Sequence, residues 1–380
     1  MTSQERHERC YQRRKAKRDY RRYMRSKSHG DFEQVFSYEN LYKAGKNSCK
    51  GVMWKNSTQA YLSNICSNTY TTHKRLMEGK FKSKGFHEFD IIERGKPRHI
   101  RSIHISERAV QKALCDEILT DVFTVSFIYD NAASLKNKGV DFAMNRLNCH
   151  LQRHYRKHGL TGSVLLCDFS SYFDNARHDI IYRENERRIH DERIRKIANG
   201  FMEDFGEIGF GLGSQVSQID ALMLASPLDH FIKEQLHIKY YGRYMDDFYL
   251  IHHDMDYLKY CKREIEKKCN EMGLILSKKK TRILPLRQGF RFLKTKFILT
   301  DTGKVIRRMS RKSSQAMHRK LKKFRKWVDE GTFTLEDVRT SYESWKGHMK
   351  RGNSYHALKR MDKYYNKLFG DGGLCNVPNY

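Results

Sequence analysis

Hydrophobic positions change their period several times along the chain, and each change marks a different element. Ser163-Val-Leu-Leu-Cys-Asp-Phe169 is an apolar run interrupted only by a carboxylate near its end, the pattern of a strand buried on both faces. Ile238 to Ile251 carries aromatic and β-branched residues on either side of Asp246-Asp247, which predicts a hairpin with both carboxylates at its bend. Lys96 to Ile103 alternates apolar and polar residues and reads as a strand or hairpin; Val110, Ala113, Leu114 and Ile118 follow at helical spacing. Residues 176–205, Ala221 to Leu236 and residues 255–272 read as helices, with Gly206, Gly209, Gly211 and Gly213 marking a loop. Leu274 to Leu276 and Phe290 to Leu299 read as further strands, and residues 31–95 mix short helical patterns with Gly and Ser breaks.

The last part of the chain keeps one period throughout. Met317, Leu321, Phe324 and Val328 form one helical stripe, Leu335, Val338, Tyr342 and Trp345 a second, and Leu358, Met361, Tyr365 and Leu368 a third. A small three-helix domain is predicted. Arg319, Lys320, Lys322, Lys323, Arg325 and Lys326 fill the rest of its first helix and give it a basic wall.

Charge narrows the class of partner. Of 380 residues, 74 are Lys or Arg and 44 are Asp or Glu, a formal net charge of +30. Such an excess repels itself unless a polyanion screens it, so nucleic acid leads. Hydrophobic residues at 39% and aromatics at 12% exclude wholesale disorder. Residues 1–30 are the most basic stretch, with eleven Lys or Arg interleaved with Tyr11, Tyr20 and Tyr23. They suit either a segment that orders on RNA or a solvated arm. No apolar run reaches the roughly 18 residues of a membrane span, and no secretory pattern opens the chain. Nine scattered cysteines without C-x-x-C or zinc spacing fit a reducing cytoplasm.

The candidate chemistry lies in three acids. Asp168 ends one apolar strand, and Asp246 and Asp247 adjoin in another. An unpaired buried carboxylate is costly, and a cation removes the cost. Hard oxygen ligands without His or Cys beside them favour Mg²⁺. Two such ions, about 4 Å apart, clamp the attacking and leaving oxygens of a phosphoryl transfer.

These residues resemble a known family, the reverse transcriptases. Tyr244-Met245-Asp246-Asp247 is similar to its metal-binding box, and Asp168-Phe-Ser-Ser-Tyr-Phe173-Asp174-Asn175 to its first aspartate motif, followed by His178-Asp179-Ile180-Ile181 as in bacterial forms. Gly213-Ser-Gln-Val-Ser217-Gln218 resembles the G-x-x-x-S-Q pattern of the reverse transcriptases of diversity-generating retroelements. Ser277-Lys-Lys-Lys280-Thr281 resembles the lysine motif, and Phe292-Leu293-Lys294 the primer grip. The motifs keep the family's order over about residues 90–300. Two departures stand out: Gly211-Leu212 where Leu-Pro is usual, and Lys294 where Gly is common.

The resemblance implies an α+β right-hand polymerase with fingers, an antiparallel-sheet palm and a helical thumb. The divisions expected are a basic extension over 1–30, fingers over 31–160, palm over 161–305 and thumb and tail over 306–380. It implies an RNA-directed DNA polymerase that extends a primer with dNTPs on template RNA. Asp168, Asp246 and Asp247 would hold two Mg²⁺ ions with the Phe169 carbonyl, and Lys280 would serve the leaving pyrophosphate, with Lys278 and Lys279 as rivals. Phe173 falls at the sugar gate, Ser217 and Gln218 near template base and nucleotide, and Arg98 and Arg101 at the triphosphate. Tyr244, Met245, Phe292, Lys294, Arg319, Lys320 and Lys323 would touch primer and template. The retroelement type further implies a small basic accessory protein. A phage-defence or retron-like enzyme with an antiviral role, an RNA-dependent RNA polymerase, and a non-catalytic RNA-binding scaffold are the alternatives.

Overall fold

Val164, Leu165, Leu166 and Cys167 are all buried, and their strand is hydrogen-bonded to a neighbour along each edge. In the computed structural model, which describes residues 2–93, 95–211 and 213–370, β1 (Phe86–Glu93) and β2 (Lys96–Ile103) form a separate hairpin, and β3 (Ser163–Asp168) lies inside a four-stranded sheet. The order of that sheet is β4 (Tyr240–Tyr244), β5 (Asp247–His252), β3, β6 (Arg282–Pro285), with antiparallel pairing of β3 to both neighbours. Every residue of β3 is buried. A second antiparallel sheet runs β7 (Phe290–Phe292), β8 (Thr295–Leu299), β9 (Val305–Arg308).

The chain divides into two compact units, one of Met1–Ser134, Phe169–His237 and Glu264–Leu276, the other of Leu135–Asp168, Ile238–Arg263 and Ser277–Tyr380. In the second unit the helix Val140–His158 packs on β4 and β5, and its Met144, Leu147 and Leu151 are buried. Its His150 shares a 3.0 Å hydrogen bond with Tyr249 of β5. The same unit ends in the helices Arg311–Asp329, Leu335–Lys350 and Tyr355–Phe369. Their core joins Met317, Leu321 and Phe324 to Val338, Tyr342, Trp345 and Met349 and to Met361 and Tyr365. Leu335 alone departs from its predicted stripe: it is the first residue of its helix and is 54% exposed.

In the first unit the basic N-terminal segment is one helix, Ser3–Ser28, opened by a reciprocal cap between Thr2 and Glu5. Its last turn is anchored by the Ser26 hydroxyl, 3.0 Å from both the ring and the backbone N–H of His190. The helix Ile105–Leu114 continues through a π-helical turn, Cys115–Leu119.

Several expectations are corrected. The helix expected over 176–205 is broken into His178–Arg188 and Glu192–Glu203, because the Asp191 carboxylate caps the second by accepting from the Arg193 and Ile194 N–H groups. The helix expected from Ala221 starts earlier, at Gln215, where Ser214 caps it. It breaks after Leu224, since Pro227 has no N–H to continue the ladder, and resumes as Ser226–His230 and the π-helical turn Phe231–Gln235, which fits the expected end near Leu236. Leu274 to Leu276 makes only a single bridge, Leu276 to Phe169. Phe290 to Leu299 is a hairpin, turned at Leu293 and Lys294 with φ of 45° and 66°. That left-handed backbone accounts for a glycine preference where Lys294 stands. Leu212, the tail 371–380 and Cys375 lie outside the described residues. The eight other cysteines are free thiols.

Candidate active site

The register of the central sheet brings the acids together. Pairing of β3 with β5 sets Asp168 directly across from Asp247, a separation of about 5 Å between Cα atoms in such ladders. Asp247 also pairs with Tyr244 on β4, so Met245 and Asp246 form the two-residue bend of the hairpin. Tight two-residue bends need positive φ, and Met245 supplies it at 57°. The buried Arg243 donates from Nη1 to the Met245 carbonyl at 3.0 Å and holds that bend. Sequence reasoning missed Arg243; the signal available was a guanidinium inside an otherwise apolar strand.

Lys280 completes the cluster. After β3 ends, the Asp168 carbonyl accepts from the Ser277 N–H at 2.8 Å, and a turn closed by Thr281 N–H on the Ser277 carbonyl follows. That turn delivers the Lys280 ammonium to both Asp168 oxygens at 2.7 Å. All three lysines are exposed, but Lys278 and Lys279 make no ion pair among the described residues, and the pair with Asp168 distinguishes Lys280 from them.

Three acids face one ammonium, and the crowding shows in two of them, Asp246 and Asp247. Burial, then the charge of Asp168, raises Asp246 above the usual carboxylate range. Burial, then the charge of Asp246 and a hydrogen bond with Asp168, pushes Asp247 up to about 7. Burial alone would lower Lys280, but its bond to Asp168 and the charges of the three acids outweigh it and raise the ammonium. Among the described residues no group of three His, Cys, Asp or Glu side chains is already spaced as a metal cage. The Asp168 carboxylate is instead paired with the Lys280 ammonium. The donors themselves are carboxylate oxygens, and the surplus of negative charge fits a hard divalent cation.

The remaining candidates are placed as follows. Tyr244, Met245 and Asp246 are half-buried at the bend. Phe292 is buried with its ring edge-on to Tyr249, 5.1 Å between centroids. Lys294 stands at the β7–β8 bend, and Arg319, Lys320 and Lys323 are exposed on the helix Arg311–Asp329, where Lys320 donates to Ser341 at 2.9 Å.

The first unit holds the others. The buried Phe169 ring stacks on Tyr172, and Phe173 is half-buried, edge-on to Phe210, with its carbonyl accepting from the Phe210 N–H at 2.6 Å. Arg101 is tied to Glu88 at 3.1 Å, and Arg98 pairs with Ile91 in the hairpin, its side chain outside the described residues. Gln218 is exposed, whereas Ser217 is buried at 1% exposure and its hydroxyl has no hydrogen-bond partner among the described residues. A second missed residue fixes this segment. The buried Gln111 side-chain oxygen accepts from the Ser214 hydroxyl at 3.1 Å and the Gln215 N–H at 3.3 Å. At Gly211 a Cβ would meet the Phe205 ring at 1.8 Å, so no other residue fits there without displacing that ring.

Among solved structures the chain is similar to telomerase from Candida albicans in complex with the TWJ fragment of telomeric RNA. The identity is 13% and the TM-score 0.46, over 74% of this chain and 56% of that one. A Candida tropicalis apo telomerase truncated from its C-terminal domain matches at 13% identity and TM-score 0.46, over 63% and 60%. The apo telomerase from Candida tropicalis matches at 14% and 0.45, over 80% and 64%. The chain thus spans less than two thirds of each of these structures. No curated protein matches. No helix among the described residues is long and apolar enough to cross a membrane. Residues 82–297, more than half of the chain, match the family described as Reverse transcriptase (RNA-dependent DNA polymerase); the chain belongs to that family of nucleotidyltransferases and has its α+β, right-hand polymerase fold.

Proposed function

We propose that the chain copies RNA into DNA, extending a primer 3′-hydroxyl by in-line attack on the α-phosphate of a dNTP. The observation that carries this reading is the cross-strand placement of Asp168 against Asp247, with Asp246 at the bend and Lys280 on Asp168. Two Mg²⁺ ions held by Asp168, Asp246, Asp247 and the Phe169 carbonyl would neutralise the reacting oxygens. The chain's own contribution is positional. Arg243 fixes the bend that carries Asp246, and the ammonium of Lys280 supplies a proton or a compensating charge for pyrophosphate. Family resemblance assigns Phe173 to exclusion of the ribose 2′-hydroxyl, Gln218 and Ser217 to the template base and nucleotide, and Arg98 and Arg101 to the triphosphate. It also assigns Tyr244, Met245, Phe292 and Lys294 to the primer end and Arg319, Lys320 and Lys323 to the duplex backbone. Palm and thumb are read at 161–305 and 306–380, fingers at 31–160, the extension at 1–30, all in a cytoplasmic enzyme.

The Ser217-Gln218 pair favours a retroelement of the diversity-generating type, and with it a structured template and a small basic accessory protein. A test of the chemistry uses poly(rA)·oligo(dT), Mg²⁺ and dTTP. Extension is expected, and Asp168→Ala should abolish it; Phe173→Ala should admit ribonucleotides. Equal use of ribo- and deoxynucleotides by the unaltered chain would instead favour an RNA polymerase. No extension at all, with RNA binding intact, would leave the scaffold reading.

A further inference from the structure

The three C-terminal helices contain a hollow of whose basic residues only Arg319 is assigned above to the duplex backbone. A cavity of about 1360 Å³ opens between the connection at 308–311, the helix Arg311–Asp329 and the helix Tyr355–Phe369. Arg308, Arg311, Arg319 and Arg360 line it and are exposed. Among the described residues their guanidinium groups make no ion pair or hydrogen bond. No Asp or Glu is among the lining residues. In a chain that elsewhere pairs many of its arginines with acids, four bare guanidiniums around one hollow select a polyanion.

Its walls are not those of a simple phosphate track. His318 and Tyr364, both half-buried, stack face to face there, 3.8 Å between centroids and 18° between planes. The buried Met349 and Met361 also line it. A duplex offers its phosphates to arginines but keeps its base faces covered. A single strand offers both, and aromatic rings with flanking arginines are how such strands are held. We infer that this groove binds a single-stranded stretch of polynucleotide, either unpaired template RNA or newly made DNA. The inference rests on the polymerase reading for its biological sense, but its test does not.

The test uses the full chain with fluorescein-labelled oligo(rU) and oligo(dT) 12-mers and a 12-base-pair RNA–DNA hybrid, read by fluorescence anisotropy over a salt series. Arg311→Ala with Arg360→Ala should weaken single-strand binding about tenfold or more and flatten the salt slope by about 1.4, two contacts at about 0.7 each. Tyr364→Leu should weaken it about 5- to 100-fold with the slope unchanged, and Tyr364→Phe should restore it. The hybrid should bind nearly as before, and the oligonucleotide with the larger loss identifies the strand. Loss of hybrid affinity equal to that of the single strands would overturn the inference, as would unchanged single-strand affinity. Thermal unfolding by circular dichroism separates both from misfolding. Failure of the unaltered chain to extend a primer would count against the polymerase reading and leave the groove result standing.

Discussion

At the scale of single residues, the buried charges carry the most distinctive consequences. Asp220 lies wholly inside the first unit, with no partner for its Oδ2 among the described residues. Burial pushes its carboxyl up from 3.8 to about 8. The folded chain therefore keeps a proton that the unfolded chain releases near pH 4. Its penalty is absent below that pH, grows as pH rises through the interval to about 8, and is constant beyond. Asp220→Asn should flatten the loss of stability between pH 5 and pH 8 by an amount on the order of a few kcal/mol, seen as a smaller shift in urea midpoint. Arg243 is the opposite case, a buried cation with an assigned acceptor. Arg243→Ala removes a charge-assisted bond and leaves a void, so the urea midpoint should fall by the equivalent of about 3 kcal/mol. Neither residue stood out in the sequence beforehand. Asp246 and Asp247 did, because two adjacent acids inside an apolar hairpin break its pattern, whereas one Arg or one Asp in a buried segment does not announce its partner.

At the scale of elements, legibility followed burial. The helical stripes of the last domain were readable because each helix buries one face against the other two. Leu321→Ala, at the centre of that packing, should cost about 2–5 kcal/mol and lower the melting temperature. β1 was not readable: Phe89 and Ile91 are 39% exposed and Ile92 81%, so neither face of its hairpin imposes a clean alternation. β6 escaped because it is four residues long, half-buried and closed by Pro285. The π-helical turns at Cys115–Leu119 and Phe231–Gln235 shift the ladder by one residue without changing composition, and periodicity cannot register that. The basic N-terminal helix was open between two readings, since a polar helix without an apolar face needs an anchor that only the fold supplies. Its anchor is one turn at Ser26. Removing residues 1–20 should leave the melting temperature nearly unchanged while RNA affinity falls and its salt dependence flattens.

At the scale of the whole molecule, the proposed function draws on charge and chemistry together. A net charge of +30 favours a polyanion without regard to sequence, and the three acids are a local exception to it. That contrast suits the proposed function: positive surface would gather nucleic acid, and the negative cluster would hold the cations that neutralise the reacting phosphates. Family membership follows from the match over residues 82–297; the roles proposed for individual residues rest on the cross-strand placement of Asp168 against Asp247 together with resemblance. The most direct measurement compares primer extension by the unaltered chain and by Asp246→Asn, at matched RNA occupancy. The account predicts full RNA binding in both and a loss of at least about 10³-fold in the extension rate of the variant, the equivalent of several kcal/mol of transition-state stabilisation. Extension by Asp246→Asn at the unaltered rate would contradict it.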